Sequence, residues 1–212
     1  MIFKNRVEAG KKLAEKLKKY KNPIVLSIPR GGVVIGHEIA KDLKCKHDVI
    51  IARKLGAPNN SELAIGAVTA EGDLYLDETL IERIGVDHKY ILGEQERQMK
   101  EAERREETYR GGRKKIKTKG KTVIVVDDGL ATGATMEAAV RSVKRGGAKK
   151  VVVAVPVAPA DTEERYIKLG IDIVVLYSPE SFWAIGQFYE DFPQVTDEEV
   201  IKILGGANSN SQ

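Results

Sequence analysis

Residues 150–157 read K-V-V-V-A-V-P-V, and the apolar run after Lys150 never alternates with polar residues. A strand of that composition has to be covered on both faces, which is the environment of a parallel sheet with helices above and below it. Shorter runs repeat the pattern at residues 24–28 (I-V-L-S-I), 48–52 (D-V-I-I-A), 123–126 (V-I-V-V) and 171–177. Helical stretches separate most of these runs, so the alternation predicts an α/β fold with a central parallel sheet and right-handed crossovers.

The run at 123–126 leads into D-D-G-L-A-T-G-A-T-M, residues 127–136. Two carboxylates stand where the strand should end. Gly129, Thr132, Gly133 and Thr135 then bring small residues, exposed N–H groups and two hydroxyls ahead of a helical pattern at 136–144. A strand, turn and helix N-terminus forms an anion site, because unsatisfied amides and the helix dipole both favour a phosphate. Acids beside such a cradle suit a sugar whose hydroxyls need acceptors, so the ligand read from these residues is a sugar phosphate. No Lys precedes the Thr as in a Walker A loop, and the spacing is not G-x-G-x-x-G. The competing reading is a plain surface turn with an Asp-Gly and a helix cap.

This segment resembles the phosphoribosyl diphosphate (PRPP) signature of type I phosphoribosyltransferases: a hydrophobic strand, two acidic residues, then a loop ending T-G-x-T. The resemblance implies the fold of that family, a central parallel sheet flanked by helices with a small hood from the chain ends. It implies that Asp127 and Asp128 hold the ribose hydroxyls and steady Mg²⁺ indirectly, and that Ala131, Thr132, Gly133, Ala134 and Thr135 wrap the 5′-phosphate.

Pro29-Arg30-Gly31-Gly32 follows the first strand, where Arg30 supplies charge and the glycines let backbone approach an anion. The resemblance makes it the pyrophosphate loop, with Arg30 and Gly31 as ligands. Arg53 and Lys54 close the run at 48–52, on the sheet edge where α/β proteins collect ligands, and should face the diphosphate. The stretch R-K-L-G-A-P resembles the start of the flexible catalytic loop of adenine and orotate phosphoribosyltransferases, and the polar residues after it fit a mobile segment.

The implied reaction is displacement of pyrophosphate at C1 of PRPP by a ring nitrogen of a free base, a purine first, with Mg²⁺ as cofactor and a homodimer as the usual assembly. Glu62 is the nearest candidate for a catalytic loop carboxylate, and Asp128 is the second catalytic candidate. Phe182 and Trp183, in the aromatic stretch 178–192, are the candidates for stacking on the base. Ala131 occupies the place of the acid in hypoxanthine-guanine enzymes, and residues 155–157 are apolar where those enzymes carry a purine-reading Lys, so the adenine-type pattern is the nearer one. A PRPP-binding regulator without turnover and a PRPP-dependent enzyme with another acceptor are the alternatives.

The rest of the chain supports one domain over residues 1–204, with the hood at roughly 1–20 and 178–204 and a disordered tail at 205–212. Asn5 is positioned to cap a first helix, residues 64–76 suit a hairpin around Glu71-Gly72-Asp73, and Asp77 and Gly85 bracket a short helix. An extra charged helix, an insertion at about 87–110, carries Glu-to-Lys and Glu-to-Arg pairs at helical spacing and reads as solvated. Its alternating charge argues against a nucleic-acid arm, and the net charge of +4, from 35 basic and 31 acidic residues, is weak evidence for one. No apolar run approaches the roughly 20 residues of a membrane span. The N-terminus lacks an apolar signal segment and Cys45 is the lone cysteine, so a reduced cytoplasm is the expected setting and a multi-thiolate zinc site is excluded. His37-Glu38 begins an H-E-x-x-H pattern that fails at Lys41.

Overall fold

The computed structural model describes residues 3–207. In chain order the elements are α1 (Arg6–Leu17), β1 (Ile24–Ser27), α2 (Gly31–Leu43), β2 (Lys46–Val49), β3 (Ala52–Ala57), β4 (Asn60–Thr69), β5 (Leu74–Leu76) and α3 (Glu78–Ile84). Then come α4 (His88–Arg110), β6 (Thr122–Val126), α5 (Ala134–Arg145), β7 (Lys150–Val157), α6 (Thr162–Lys168), β8 (Asp172–Tyr177), a 3-10 turn (Ile185–Phe188) and α7 (Asp197–Ala207).

Five strands form a sheet in the order β2-β1-β6-β7-β8, with every neighbouring pair parallel. Successive residues of its central strands go to opposite faces, and both faces are covered. Leu26, Val125 and Val153 meet Met136, Val140 and Val143 of α5 and Tyr166 of α6 on one side. Val25, Ile124 and Val152 meet Leu13 and Leu17 of α1 and Ile35 and Ile39 of α2 on the other. This two-sided burial is why the strands read as unbroken apolar runs. Each fully buried Leu or Ile contributes about 1.5–3 kcal/mol.

The helix ends follow their local chemistry. Asn5, Asp77 and Asp87 each accept an N–H of the first turn of α1, α3 and α4, and Gly85 and Gly111 close α3 and α4 in the left-handed conformation. The hairpin expected at 64–76 is present as antiparallel β4 and β5.

The run at 48–52 is not one strand. β2 ends at Val49, and beyond buried Ile50 and Ile51 the chain enters β3 in a separate antiparallel sheet of order β3-β4-β5. Arg53 and Lys54 therefore lie inside an antiparallel strand, paired with Val68 and Ala67, and not at the end of a parallel one. The segment expected to be a mobile loop forms the β3 and β4 hairpin, turning at Asn59 with φ of +63°. It is held down because Leu55, Ala57 and Ile65 bury an apolar face against α3 and Ile91 of α4.

Helix α4 is correspondingly less solvated than its charge suggests. Ile91 joins that cluster, while Ala102 and Tyr109 pack with Val200 and Leu204 of α7. Helix α7 runs to Ala207, so Gly205, Gly206 and Ala207 are helical where a disordered tail was expected; residues 208–212 of that tail lie outside the described residues. The start of the described chain meets the aromatic segment: Phe3 N–H donates to Phe188 O at 3.0 Å, and Glu190 N–H to Phe3 O at 2.9 Å. Among the described residues no helix is long and apolar enough to cross a membrane.

Candidate active site

Strands β1 and β6 end side by side, with Ser27 paired to Val126, so the turns that follow them share one edge of the sheet. Their contact leaves almost no room. A Cβ on Gly31 would stand 1.8 Å from Asp128 Oδ2, and one on Gly32 would stand 2.8 Å from Val126 O. Glycine at 31 is thus required by the close approach of α2 to the second acid.

The two acids play different parts. Asp128 is buried, and its Oδ2 accepts Arg6 Nε at 2.8 Å, while its backbone oxygen accepts the Tyr189 hydroxyl at 2.7 Å. Arg6 also donates through Nη1 to Pro193 O at 2.7 Å and lies 3.7 Å from the centroid of the Phe192 ring. Asp128 is therefore tied to α1 and the hood, an engagement the sequence reading did not assign to it. Asp127 is half-buried, and its Oδ1 accepts the Asp128 N–H at 2.8 Å. Burial first, and the neighbouring Asp128 charge second, hold the Asp127 carboxyl well above the usual carboxylate range.

The loop after the acids opens outward, with Ala131 and Thr132 exposed and Thr135 half-buried. Gly133, at φ of +84°, precedes Ala134 at the start of α5, and among the described residues no side chain caps the first N–H groups of that helix. Uncapped amides at a helix start are the arrangement that favours an anion. A Cβ on Gly133 would lie 2.5 Å from Arg165 Nη2, so a guanidinium from α6 stands beside the same amides.

A cleft of about 380 Å³ brings Pro29, Arg53, Lys54, Glu62 and Thr135 together with residues of α4. Arg53 Nε donates to Gln98 Oε1 at 3.0 Å, and Gln98 Nε2 donates to Glu94 Oε1 at 2.9 Å. The cation is thus aimed by α4. Burial, then the nearby Arg105, lowers the Arg53 pKa from its ordinary value. Arg30 does not join this cleft: its Nη1 lies 3.6 Å from Asp197 Oδ1 on α7, which also accepts the Tyr109 hydroxyl at 2.6 Å. The Pro29–Arg30 peptide bond is cis.

The aromatic candidates separate. Phe182 packs on the core with its ring 5.2 Å from Phe188, whereas Trp183 is 88% exposed. The segment carrying them sits on the acidic turn, since a Cβ on Gly129 would meet Ile185 Cγ2 at 2.6 Å. Among the described residues no group of three or more His, Cys, Asp or Glu is arranged to hold a metal ion. A Mg²⁺ here would take most of its oxygens from ligand phosphates and water, as that ion commonly does, with half-exposed Asp127 the available carboxylate. Arg6, Gln98, Arg165 and Tyr189 were not singled out in the sequence; each comes from a helix or hood segment whose local pattern gives no sign of the edge it reaches.

The family model of the phosphoribosyl transferase domain matches residues 2–193. A protein of Mycobacterium tuberculosis, provisionally described as a phosphoribosyl transferase, is 39% identical over 209 residues, covering 98% of this chain and 47% of its own length. The chain spans about half the length of the curated relatives it matches. The crystal structure of TT1426 from Thermus thermophilus is 45% identical, with a TM-score of 0.81 over 96% of this chain and 98% of that one. The AQ2163 protein of Aquifex aeolicus, 18% identical with a TM-score of 0.51, covers 85% of this chain and 76% of its own and shares the fold.

Proposed function

The chain belongs to the phosphoribosyl transferase domain family, and we propose that it transfers the 5-phosphoribosyl group of PRPP to a ring nitrogen of a free base, releasing pyrophosphate. The observation that carries this reading is the cleft in which Arg53 and Lys54 share a lining with Thr135 in the first turn of α5, the helix that follows the acidic turn. In the reaction the base nitrogen forms a bond to C1′ as the bond from C1′ to the pyrophosphate oxygen breaks, and the electron pair leaves with pyrophosphate. Arg53 and Lys54 neutralise the leaving group, the amides of 131–135 with Arg165 grip the 5′-phosphate, and ionised Asp127 accepts the ribose hydroxyls. The proton shed by the base passes to water or to Glu62 on the cleft wall. Mg²⁺ bound with PRPP would add charge neutralisation, and Asp127 would be the carboxylate available to steady it.

A purine is the proposed acceptor, supported by the exposed Trp183 ring on the segment seated against Gly129. Trp183→Ala is expected to raise the KM for the base by about fivefold or more, a stacking loss of roughly 1–3 kcal/mol, with no change in thermal midpoint. An unaltered KM would remove Trp183 from the acceptor site. The setting proposed with this activity is nucleotide salvage in the cytoplasm by a homodimer, for which exposed Ile167 and Leu169 offer an apolar contact.

The test is pyrophosphate release from PRPP and Mg²⁺ against a panel of free purines and pyrimidines, with Asp127→Asn as control. Asp128→Asn is a poorer control because it also strands Arg6. One base giving variant-sensitive release supports the reading, and release that no base accelerates points to another acceptor. Binding of PRPP with no turnover would favour a regulator instead, a reading to which the capture of Asp128 by Arg6 lends weight.

The raised pKa of Asp127 gives this site a pH dependence. The folded state keeps the proton to higher pH than the unfolded chain does, so the contribution of Asp127 to stability falls as pH rises through its folded value. The ionised form is the one that accepts hydroxyls, so PRPP affinity should rise across the same window, above the ordinary carboxylate range. Titration of PRPP binding against pH checks this, and Asp127→Asn should flatten the profile.

A further inference from the structure

At the opposite edge of the parallel sheet, where β1, β2 and β6 begin, a cleft of about 630 Å³ is lined by Asn22, Pro23 and Ile24, by the residues entering β2 and by the segment before β6. Six lysines face it: Lys44, Lys46, Lys114, Lys115, Lys117 and Lys121, all exposed. Lys115 pairs with Glu71, and none of the other five forms an ion pair among the described residues. Five unneutralised cations in one concavity exceed the net charge of the whole chain, +4. Such a wall raises the local positive potential and concentrates anions.

The lysines stand on fixed backbone. Ile116 N–H donates at 3.2 Å to Asp48 Oδ2, a buried carboxylate whose other oxygen accepts Arg110 Nε at 3.2 Å. Gly120 N–H donates to Gly147 O at 2.8 Å, and Lys121 N–H to Thr118 O at 3.0 Å. The lining contains neither an aromatic ring nor an arginine. Lysine meets phosphate as a point charge without the fork that selects a planar group, and without a ring there is no platform for a base. The volume lies in the range of small-ligand sites, about 300–1,000 Å³.

We propose that this cleft is a second anion site, separate from the transferase cleft, that takes a small ligand carrying a run of linked phosphates. The phosphate run belongs either to an inorganic oligophosphate or to the triphosphate tail of a nucleotide.

Calorimetric titration of the full chain with sodium tripolyphosphate tests it, using three proteins: the wild type, K114Q/K117Q/K121Q and R53Q/K54Q. The expected result is binding that R53Q/K54Q retains and that K114Q/K117Q/K121Q weakens by about tenfold or more, with added salt weakening it further. K44Q/K46Q provides a second groove variant should the triple change impair folding, which circular dichroism reports. Competition by ATP assigns the ligand to nucleotides, and its absence assigns it to inorganic oligophosphate. Loss of binding in R53Q/K54Q alone, or no binding to the wild type, overturns the proposal. So does a single-stranded oligonucleotide that binds where tripolyphosphate does not, which would make the groove a nucleic-acid face.

Discussion

Replacing Arg6 by Met is expected to lower the unfolding free energy by about 3–5 kcal/mol, the usual consequence of leaving a buried charge without its partner. Both side chains of the Arg6 and Asp128 pair are nearly enclosed, at 9% and 13% exposure, and Arg6 is further fixed by Pro193 O and the face of Phe192. Methionine retains much of the apolar stem but none of the donors. The Asp128 carboxylate would then sit beneath Gly31 with its strongest partner gone.

Changing both members should restore most of the loss, because two neutral side chains in the same space carry no stranded charge. Urea unfolding of Arg6→Met, Asp128→Asn and the double variant forms the cycle. A single-variant loss below about 1 kcal/mol, the value of an exposed pair, would show that the enclosure of this contact does not hold in solution. PRPP affinity separates structure from function: if Asp128 serves the sugar, the double variant stays folded and still binds PRPP weakly.

The parts of the fold that depend on neighbouring residues were legible in the sequence. Unbroken apolar runs announced the parallel sheet because both of its faces are covered, and the Asn5 and Asp77 caps lie within three residues of the amides they satisfy. The division between β2 and β3 was hidden because Ile50 and Ile51 continue the apolar run while the chain changes sheets, so composition carries no mark of the new partner. In α4 the buried uncharged positions Ile91, Ala102 and Tyr109 are 11 and 7 residues apart, close to three and two turns, but the charges between them mask the period. At the site, the acids closing an apolar strand and the small-residue turn leading into a helix were legible, and α5 does begin just past Gly133. Their long-range partners were not, because Arg6 reaches Asp128 across a sequence separation of 122 residues and Gln98 reaches Arg53 across 45.

Arg53→Gln is expected to lower kcat/KM for PRPP by about 10²–10³, as removal of one preorganised group facing developing charge typically does. In the proposed reaction Arg53 would be such a group, because the Gln98 amide fixes its guanidinium and Gln98 is itself held by the buried Glu94. Reorientation at the moment of bond breaking is thereby avoided. Lys54 is exposed and among the described residues has no such holder, so Lys54→Gln should cost less, nearer tenfold. Gln98→Leu leaves the charge in place but frees its orientation, and should lower kcat more than it raises KM.

Thermal midpoints of Lys54→Gln and Gln98→Leu are expected to stay near the wild type, which keeps the kinetic effects apart from unfolding. If Arg53→Gln retains activity within about threefold, the cleft between β3 and α4 does not hold the leaving group. If Gln98→Leu reproduces most of the Arg53→Gln loss, the charged helix is a positioning element of the site, since the contact removed from the cation is the one that α4 makes with it.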